Sequence, residues 1–160
     1  MKKLQLFKHV AGEIAKNKEK TPKMYIGNID DQFDYISDGY VIWILPKKEN
    51  PFKEVEERQD TFRDHLKYFS REKIEKVSKM ITLQDDDIFD GKKLVRGIFK
   101  DKPFYFNPDL LKYFDKDCEL YRSENSLYIG VKENGNLVGL VAPVRSDKKM
   151  DEKINKKLGL

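Results

Sequence analysis

The chain has 160 residues, 39% of them hydrophobic and 12% aromatic, which is enough large apolar side chain for one core. Lys and Arg total 32 against 28 Asp and Glu, and this net charge of +4 excludes the strong overall positive field of a typical nucleic-acid binder. The single cysteine, Cys118, excludes an intramolecular disulfide, and no apolar run approaches the roughly 20 residues that span a bilayer. We therefore expect one compact, cytoplasmic domain without a membrane span.

The first predicted element is an amphipathic helix over residues 4–16. Its apolar residues fall in pairs four positions apart, which is the period of one helical face: Leu6, Phe7, Val10, Ala11, Ile14 and Ala15. After a polar break at 18–23, residues 23–29 and 32–45 are rich in Tyr, Ile, Val and Trp, and Asp38-Gly39 is a turn signal. This pattern predicts about three strands, the last from Tyr40 to Leu45, with Trp43 in the core.

A long helical region is predicted next. Beyond the break at 46–51, apolar residues recur three, four or seven positions apart as far as Phe69, and Ile74, Val77 and Ile81 continue the spacing. We expect two helices or one kinked helix here. The acidic stretch 84–91 is predicted to be a loop.

A second run of elements follows in a similar order. Residues 94–99 and 102–106 predict strands, and Asn107 with Pro108 predicts the start of a short helix, with Asn as cap. Three further strands are predicted at 118–122, 126–132 and 137–144, joined by the turn signals Glu124-Asn125 and Asn134-Gly135. The Lys-rich tail 146–160 is expected to be frayed or loosely helical.

This order predicts an α+β fold in two halves, each a strand, a helix and three antiparallel strands, forming one antiparallel sheet with the helices on one face. The stretches FYFNPDLLKYF and SLYIGVKENGNLVGLVAPVR resemble the end of a bacterial DNA polymerase sliding clamp subunit. Ser37-Asp38-Gly39-Tyr40 is similar to the clamp pattern Thr/Ser-Asp-Gly-His/Tyr between two strands. The ending Val141-Ala142-Pro143-Val144-Arg145 departs from the family at Ala142, where Met is common.

The resemblance implies a DNA-clamp-like domain over 1–145, with a helical insertion at 52–91 and a charged, mobile tail at 146–160. It also implies a non-enzymatic binding role in DNA replication and processivity, with DNA or a replication protein as partner. A bacterial clamp subunit carries three such domains and dimerises into a ring of six, so this chain would need six copies to form one. The alternative is a phage or mobile-element protein that reuses the fold to inhibit a host nuclease or immunity factor.

Two sets of candidate site residues follow from the resemblance. Helices of clamps offer basic side chains to DNA phosphates without reading bases. The corresponding residues here are Lys8, Lys16, Lys18, Lys20 and Lys112. A solvated basic face is the alternative. Lys3–Phe7 resembles the clamp-binding peptide Gln-Leu-x-Leu-Phe of replication proteins, so Leu4, Leu6 and Phe7 are candidates for contact with a partner protein, unless Leu6 and Phe7 belong to the core stripe of the first helix.

No catalytic or metal motif is recognised. His9, His65 and Cys118 lack zinc-ligand spacing, and neither a phosphate-binding loop nor a dinucleotide-binding glycine pattern occurs. Four aspartates are close in sequence: Asp85, Asp86, Asp87 and Asp90. Their spacing differs from that of a calcium-binding loop, which favours a solvated turn, and a metal-dependent nuclease is the one enzyme hypothesis that they leave. We predict no cofactor and no catalytic residue.

Overall fold

The computed structural model describes residues 1–16, 24–52, 61–71 and 73–160 and has an α+β fold with two antiparallel sheets. The large sheet has seven strands in the order β1-β2-β3-β10-β9-β8-β4, and the small sheet has the order β5-β6-β7. The strands are β1 Tyr25–Asn28, β2 Phe33–Ser37, β3 Val41–Pro46, β4 Ile74–Lys76, β5 Met80–Gln84, β6 Lys93–Phe99, β7 Lys102–Phe106, β8 Glu119–Ser123, β9 Ile129–Glu133 and β10 Asn136–Val141.

Four α-helices and two short 3₁₀ helices occur in these ranges. The α-helices are α1 Lys3–Lys16, α2 Thr61–Arg71, α3 Asp86–Phe89 and α4 Lys148–Leu158, and the 3₁₀ helices are Lys47–Glu49 and Pro108–Leu111. Asn107 caps the second 3₁₀ helix as predicted, because its side-chain oxygen accepts a hydrogen bond from the Asp109 amide at 2.9 Å. None of these helices is both long and apolar enough to cross a bilayer.

Two three-stranded meanders meet at the centre of the large sheet. β1-β2-β3 and β8-β9-β10 each run antiparallel, and β3 pairs with β10 so that Trp43 lies opposite Gly139 and Val41 opposite Val141. Each meander follows a helical segment, α1 in the first half and the 3₁₀ helix Pro108–Leu111 in the second. The strand order from β1 to β8 is therefore symmetric about the β3–β10 pair, although the prediction of one continuous sheet is wrong because β5, β6 and β7 form a separate one.

Helices cover both faces of the large sheet, which corrects the expectation that they share one face. Alternate residues of β3 point to opposite sides, as the period of a strand requires. Trp43, 2% exposed, belongs to a core cluster with Leu6 of α1, whereas Ile42 belongs to another with Phe69 of α2. α1 and the small sheet thus lie on one side of the large sheet and α2 on the other.

The segment 52–91 is less helical than predicted. Residues 53–60 lie outside the described ranges, and α2 accounts for the pattern around Phe69. Ile74 and Ile81, expected to continue a helix, lie in β4 and β5. The acidic stretch contains the short helix α3, whose start is capped by the carboxylate of Asp85, so the loop prediction is also wrong. Pairing with other strands, rather than the local spacing of apolar residues, determines that these segments are strands.

The C-terminal tail, expected to be frayed or loosely helical, contains the 11-residue helix α4. Asp147 caps α4 by accepting a hydrogen bond from the Met150 amide at 2.8 Å, and Gly159 ends the helix with a φ of 71°. Ile154 is 1% exposed and packs in a third core cluster with Leu94 and Tyr105 of the small sheet. α4 thus covers the face of the small sheet that points away from the large one.

Candidate binding cleft

A cleft of about 780 Å³ opens where the end of the β3–β10 pair meets the small sheet and α4. The residues around it come from distant parts of the sequence. One wall is Gly39 and Tyr40, with the segment 142–145 beside them. The other includes Asp90, residues 92–94 and Met150. The cleft therefore exists only once both sheets and α4 have come together.

The turn that presents Tyr40 is fixed by its own side chains. The Asp38 carboxylate accepts hydrogen bonds from the amides of Tyr40 and Val41, each at 2.8 Å. Gly39 has a φ of 93°, a conformation that L side chains rarely adopt. This geometry leaves the Tyr40 ring 66% exposed at the mouth of the cleft, although it is a large aromatic residue. An exposed aromatic side chain on a rigid turn is available to a partner.

Two backbone hydrogen bonds fix the segment after β10. The Ala142 amide donates to the Tyr40 carbonyl at 2.7 Å, and the Val144 amide donates to the Tyr105 carbonyl of β7 at 2.8 Å. The segment thus joins the large sheet to the small one. It also brings two of the stretches with clamp resemblance, residues 37–40 and 141–145, side by side, because Gly39-Tyr40 and Ala142–Arg145 both line the cleft.

The cleft combines apolar lining with basic residues. Its apolar side chains include Ile88, Phe89, Leu94, Leu110, Val144 and Met150. Lys92, Lys93 and Arg145 are exposed and supply positive charge, whereas Asp90 is the acidic residue among those lining it. The arrangement suits a ligand that is apolar in part and negatively charged in part.

The candidate DNA-contacting lysines lie away from this cleft. Lys8 and Lys16 are exposed on α1, and Lys16 forms an ion pair with Glu13 at 3.5 Å. Lys112 follows the 3₁₀ helix Pro108–Leu111 and places its Nζ 4.8 Å from the centre of the Tyr113 ring. Lys2 Nζ donates to the Lys112 carbonyl at 3.1 Å, so the start of α1 adjoins this region. Lys18 and Lys20 fall outside the described residues.

Two of the three candidate partner-binding residues in the segment 3–7 pack against other side chains of the chain. Leu6 is 0% exposed, and Phe7 contacts the Phe52 ring edge-on with a centroid distance of 5.8 Å. Leu4 is 68% exposed. Docking of this peptide through Leu6 and Phe7 would therefore require α1 to leave the core.

Asp85 of the acidic stretch and His65 both make local contacts. Asp85 accepts hydrogen bonds from the Asp87 amide at 2.8 Å and the Ile88 amide at 3.0 Å, and it also pairs with Lys157. Burial lowers the pKa of His65, whose Nδ1 lies 3.1 Å from Ser126 Oγ. Within the described parts of the chain, no group of three or more His, Cys, Asp or Glu side chains is placed to hold a metal ion.

Cys118 is held in its thiol form. Burial, followed by the nearby carboxylates of Glu133, Asp117 and Asp115, raises the pKa of its side chain. Because the thiolate is the nucleophile, a raised pKa lowers the reactivity of this cysteine.

Sequence reasoning missed the cleft as a site, and one signal for it was present. The residues with clamp resemblance at 37–40 and 141–145 pointed to one end of the central strands, but nothing local indicated that Lys92, Lys93 and Met150 would join them.

Comparisons of this chain with protein-family models, with curated proteins and with solved structures find no match.

Proposed function

We propose that the chain is a non-enzymatic, clamp-like binding module of a DNA replication assembly, and that its cleft holds a short, acidic and apolar segment of a partner protein. The observation that carries the proposal is the meeting of the two stretches with clamp resemblance in the walls of one cleft. Tyr40 and Ala142 are 102 residues apart in the sequence, and the hydrogen bond from the Ala142 amide to the Tyr40 carbonyl joins them.

The cleft supplies the two kinds of contact that peptide recognition uses. Its volume of about 780 Å³ falls in the range of ligand pockets, about 300–1,000 Å³, and its apolar lining accepts one or two large side chains. Buried apolar and aromatic anchors carry most of the energy in such contacts, and Tyr40 offers one from the protein side. Lys93 and Arg145 attract the acidic part of the segment and increase its association rate.

A second contact, with DNA phosphates, is proposed for the side of the large sheet that carries α1. Lys8 and Lys112 are both exposed on elements of that side, and the hydrogen bond between Lys2 and Lys112 holds the two elements together. Contact of this kind is independent of base sequence and weakens steeply with salt. The alternative role, inhibition of a host nuclease or immunity factor, would use the same cleft for a different partner.

The cleft is tested with a fluorescent peptide of two aspartates followed by leucine and phenylalanine, by anisotropy. Tyr40→Ala is expected to weaken binding by about 30-fold, because loss of a hot-spot aromatic costs at least about 2 kcal/mol. Lys93→Glu is expected to weaken binding most at low salt, where charge attraction is least screened. Leu127→Ala is the matched control, since Leu127 is 71% exposed and lies outside the cleft.

Two results would contradict the proposal. One is an affinity that Tyr40→Ala leaves unchanged, and the other is the absence of any binding by the unaltered chain. DNA contact is measured separately with a labelled duplex over a salt series, in which Lys8→Ala and Lys112→Ala should each reduce the slope of log affinity against log salt by about one.

A further inference from the structure

β5 is an outer strand of the small sheet, and no strand among the described residues pairs with its second edge. It pairs with β6 from Met80 opposite Gly97 to Gln84 opposite Lys93, and it ends the small sheet. Met80 is 46% exposed and Ile81 is 49% exposed. Its five residues include no charge and no proline, the features by which proteins usually protect such an edge. An outer strand of this kind is a template for pairing with another strand.

β4, one of the two outer strands of the large sheet, provides a contrast. It has three residues, and two of them, Glu75 and Lys76, are charged and exposed. Short length and charge are what discourage pairing at an edge. β1, at the other edge of the large sheet, also has no charge and no proline, but its four residues are buried or half-buried. β5 is therefore the outer strand that combines an unprotected edge with exposed apolar side chains.

The charges at the two ends of β5 favour one partner, a second copy of this chain. Exposed Lys79 precedes the strand and exposed Asp87 follows it, whereas Lys76 already pairs with Glu119 and Asp85 with Lys157. If two copies pair antiparallel, the basic end of each lies beside the acidic end of the other, whereas parallel pairing would bring like charges together. Opposite charges across a strand pair stabilise it and like charges destabilise it. The segment is therefore complementary to itself in the antiparallel direction.

A cavity beside β5 provides an independent observation. It has a volume of about 230 Å³, lies between β5 and α4, and is lined by Leu83, Ile154 and Leu158 among others. In an antiparallel pair centred on Thr82, Ile81 of the second copy lies directly opposite Leu83 on the same face of the sheet. Its side chain then points toward this cavity.

We propose that two copies of this chain form a symmetric dimer by antiparallel pairing of their β5 strands, with Ile81 of each copy filling the cavity of the other. A two-fold interface uses the same patch twice, as this geometry does. The pair extends the small sheet to six strands across the two copies, since each contributes three. A contact built on five residues per copy is small, so the dimer dissociates on dilution.

The first experiment measures mass by analytical ultracentrifugation over a concentration series. The unaltered chain is expected to pass from one copy to two. Ile81→Lys is expected to raise the dissociation constant at least about tenfold, because it would replace the apolar contact with Leu83, Ile154 and Leu158 and add a positive charge beside Lys157. Met80→Lys is the second variant, and circular dichroism checks that each is folded. Leu127→Lys controls for an added surface charge, since Leu127 is 71% exposed and lies outside β5.

The second experiment tests the register. Thr82 faces its own copy across the two-fold axis, so Thr82→Cys in a Cys118→Ser background should form a disulfide-linked dimer on mild oxidation. Ser78→Cys is the matched control, because Ser78 is exposed nearby but does not face its own copy in this register. A mass of one copy at every concentration up to about 1 mM would overturn the proposal, and so would equal cross-linking rates of the two cysteine variants.

The dimer and the proposed peptide cleft can be tested separately. Ile81 and Thr82 are absent from the cleft lining, and Tyr40 is absent from the lining of the cavity beside β5, although Ile88 and Phe89 line both. Ile81→Lys should leave peptide affinity unchanged, and Tyr40→Ala should leave the dimer unchanged. Failure of one proposal is thereby distinguished from failure of the other.

Discussion

Replacement of Ile154 by alanine tests whether packing holds α4 on the small sheet. Ile154 is 1% exposed and belongs to a core cluster with Leu83, Phe89 and Leu94. Truncation of a buried isoleucine to alanine costs about 2–5 kcal/mol, through the lost transfer free energy and the cavity left behind. Since α4 has 11 residues, and isolated helices of that length are marginal in water, its order depends on this contact.

The loss is expected to appear as local detachment of α4 rather than unfolding of the whole chain. At the lower value of about 2 kcal/mol, the fraction of molecules with α4 detached rises about 30-fold. Hydrogen exchange measured by mass spectrometry should show this as faster exchange of the amides in 148–158. The amides of β3 and β9 in the large sheet should keep their protection.

Leu160→Ala is the matched control for this experiment. Leu160 lies just beyond α4 and is 74% exposed, so its truncation removes little buried surface and should leave exchange unchanged. The reasoning would be refuted if Ile154→Ala left exchange in α4 at its original rate. Equal acceleration in α4 and β9 would refute local detachment in particular.

Three further changes have expected outcomes of their own. Gly130→Ala would place a Cβ 2.6 Å from the Phe69 ring, so a fall of about 1–3 kcal/mol in the free energy of unfolding is expected in urea, whereas Gly12→Ala, with nothing within 4 Å, should not destabilise. Burial lowers the pKa of His65, so below about pH 6.5 the unfolded chain binds more protons than the folded chain does. The free energy of unfolding should therefore fall as the pH is lowered through this range, and it should fall less in His65→Gln. Asp85→Ala should cost about 0.5–2 kcal/mol by urea unfolding, since it removes the cap of α3.

The strands that local chemistry specifies could be predicted from the sequence. Asn134 and Gly135 have φ values of 51° and 78°, the positive values that a tight hairpin turn requires, and they join β9 to β10 as expected. Asp38-Gly39 likewise separates β2 from β3. Trp43 is buried, as its place in an apolar strand predicts. In these cases the turn residues and the strand pattern lie within a few residues of each other and predict the same structure.

Residues 74–84 show where such prediction ends. Ile74, Val77 and Ile81 have helical spacing, yet Ile74 pairs with Ser123 of β8 and Ile81 pairs with Arg96 of β6. The Val77 amide, between the two strands, donates to the Leu120 carbonyl at 2.8 Å. A run of three apolar residues fits either period, and only the positions of distant strands select between them. The same limit applies to α4, because its few apolar residues predict a helix only when the small sheet on which they pack is known.

The cleft depends on this long-range assembly more than any single element does. Its Tyr40 wall belongs to the large sheet, its Lys93 wall to the small sheet, and Met150 comes from α4. The segment after β10 joins the two sheets through hydrogen bonds from Ala142 and Val144. A change that moves one sheet against the other alters the width of the cleft without touching a lining residue. If peptide binding occurs there, bound peptide should therefore slow exchange of the Val144 amide, which lines the cleft and whose hydrogen bond to the Tyr105 carbonyl joins the two sheets.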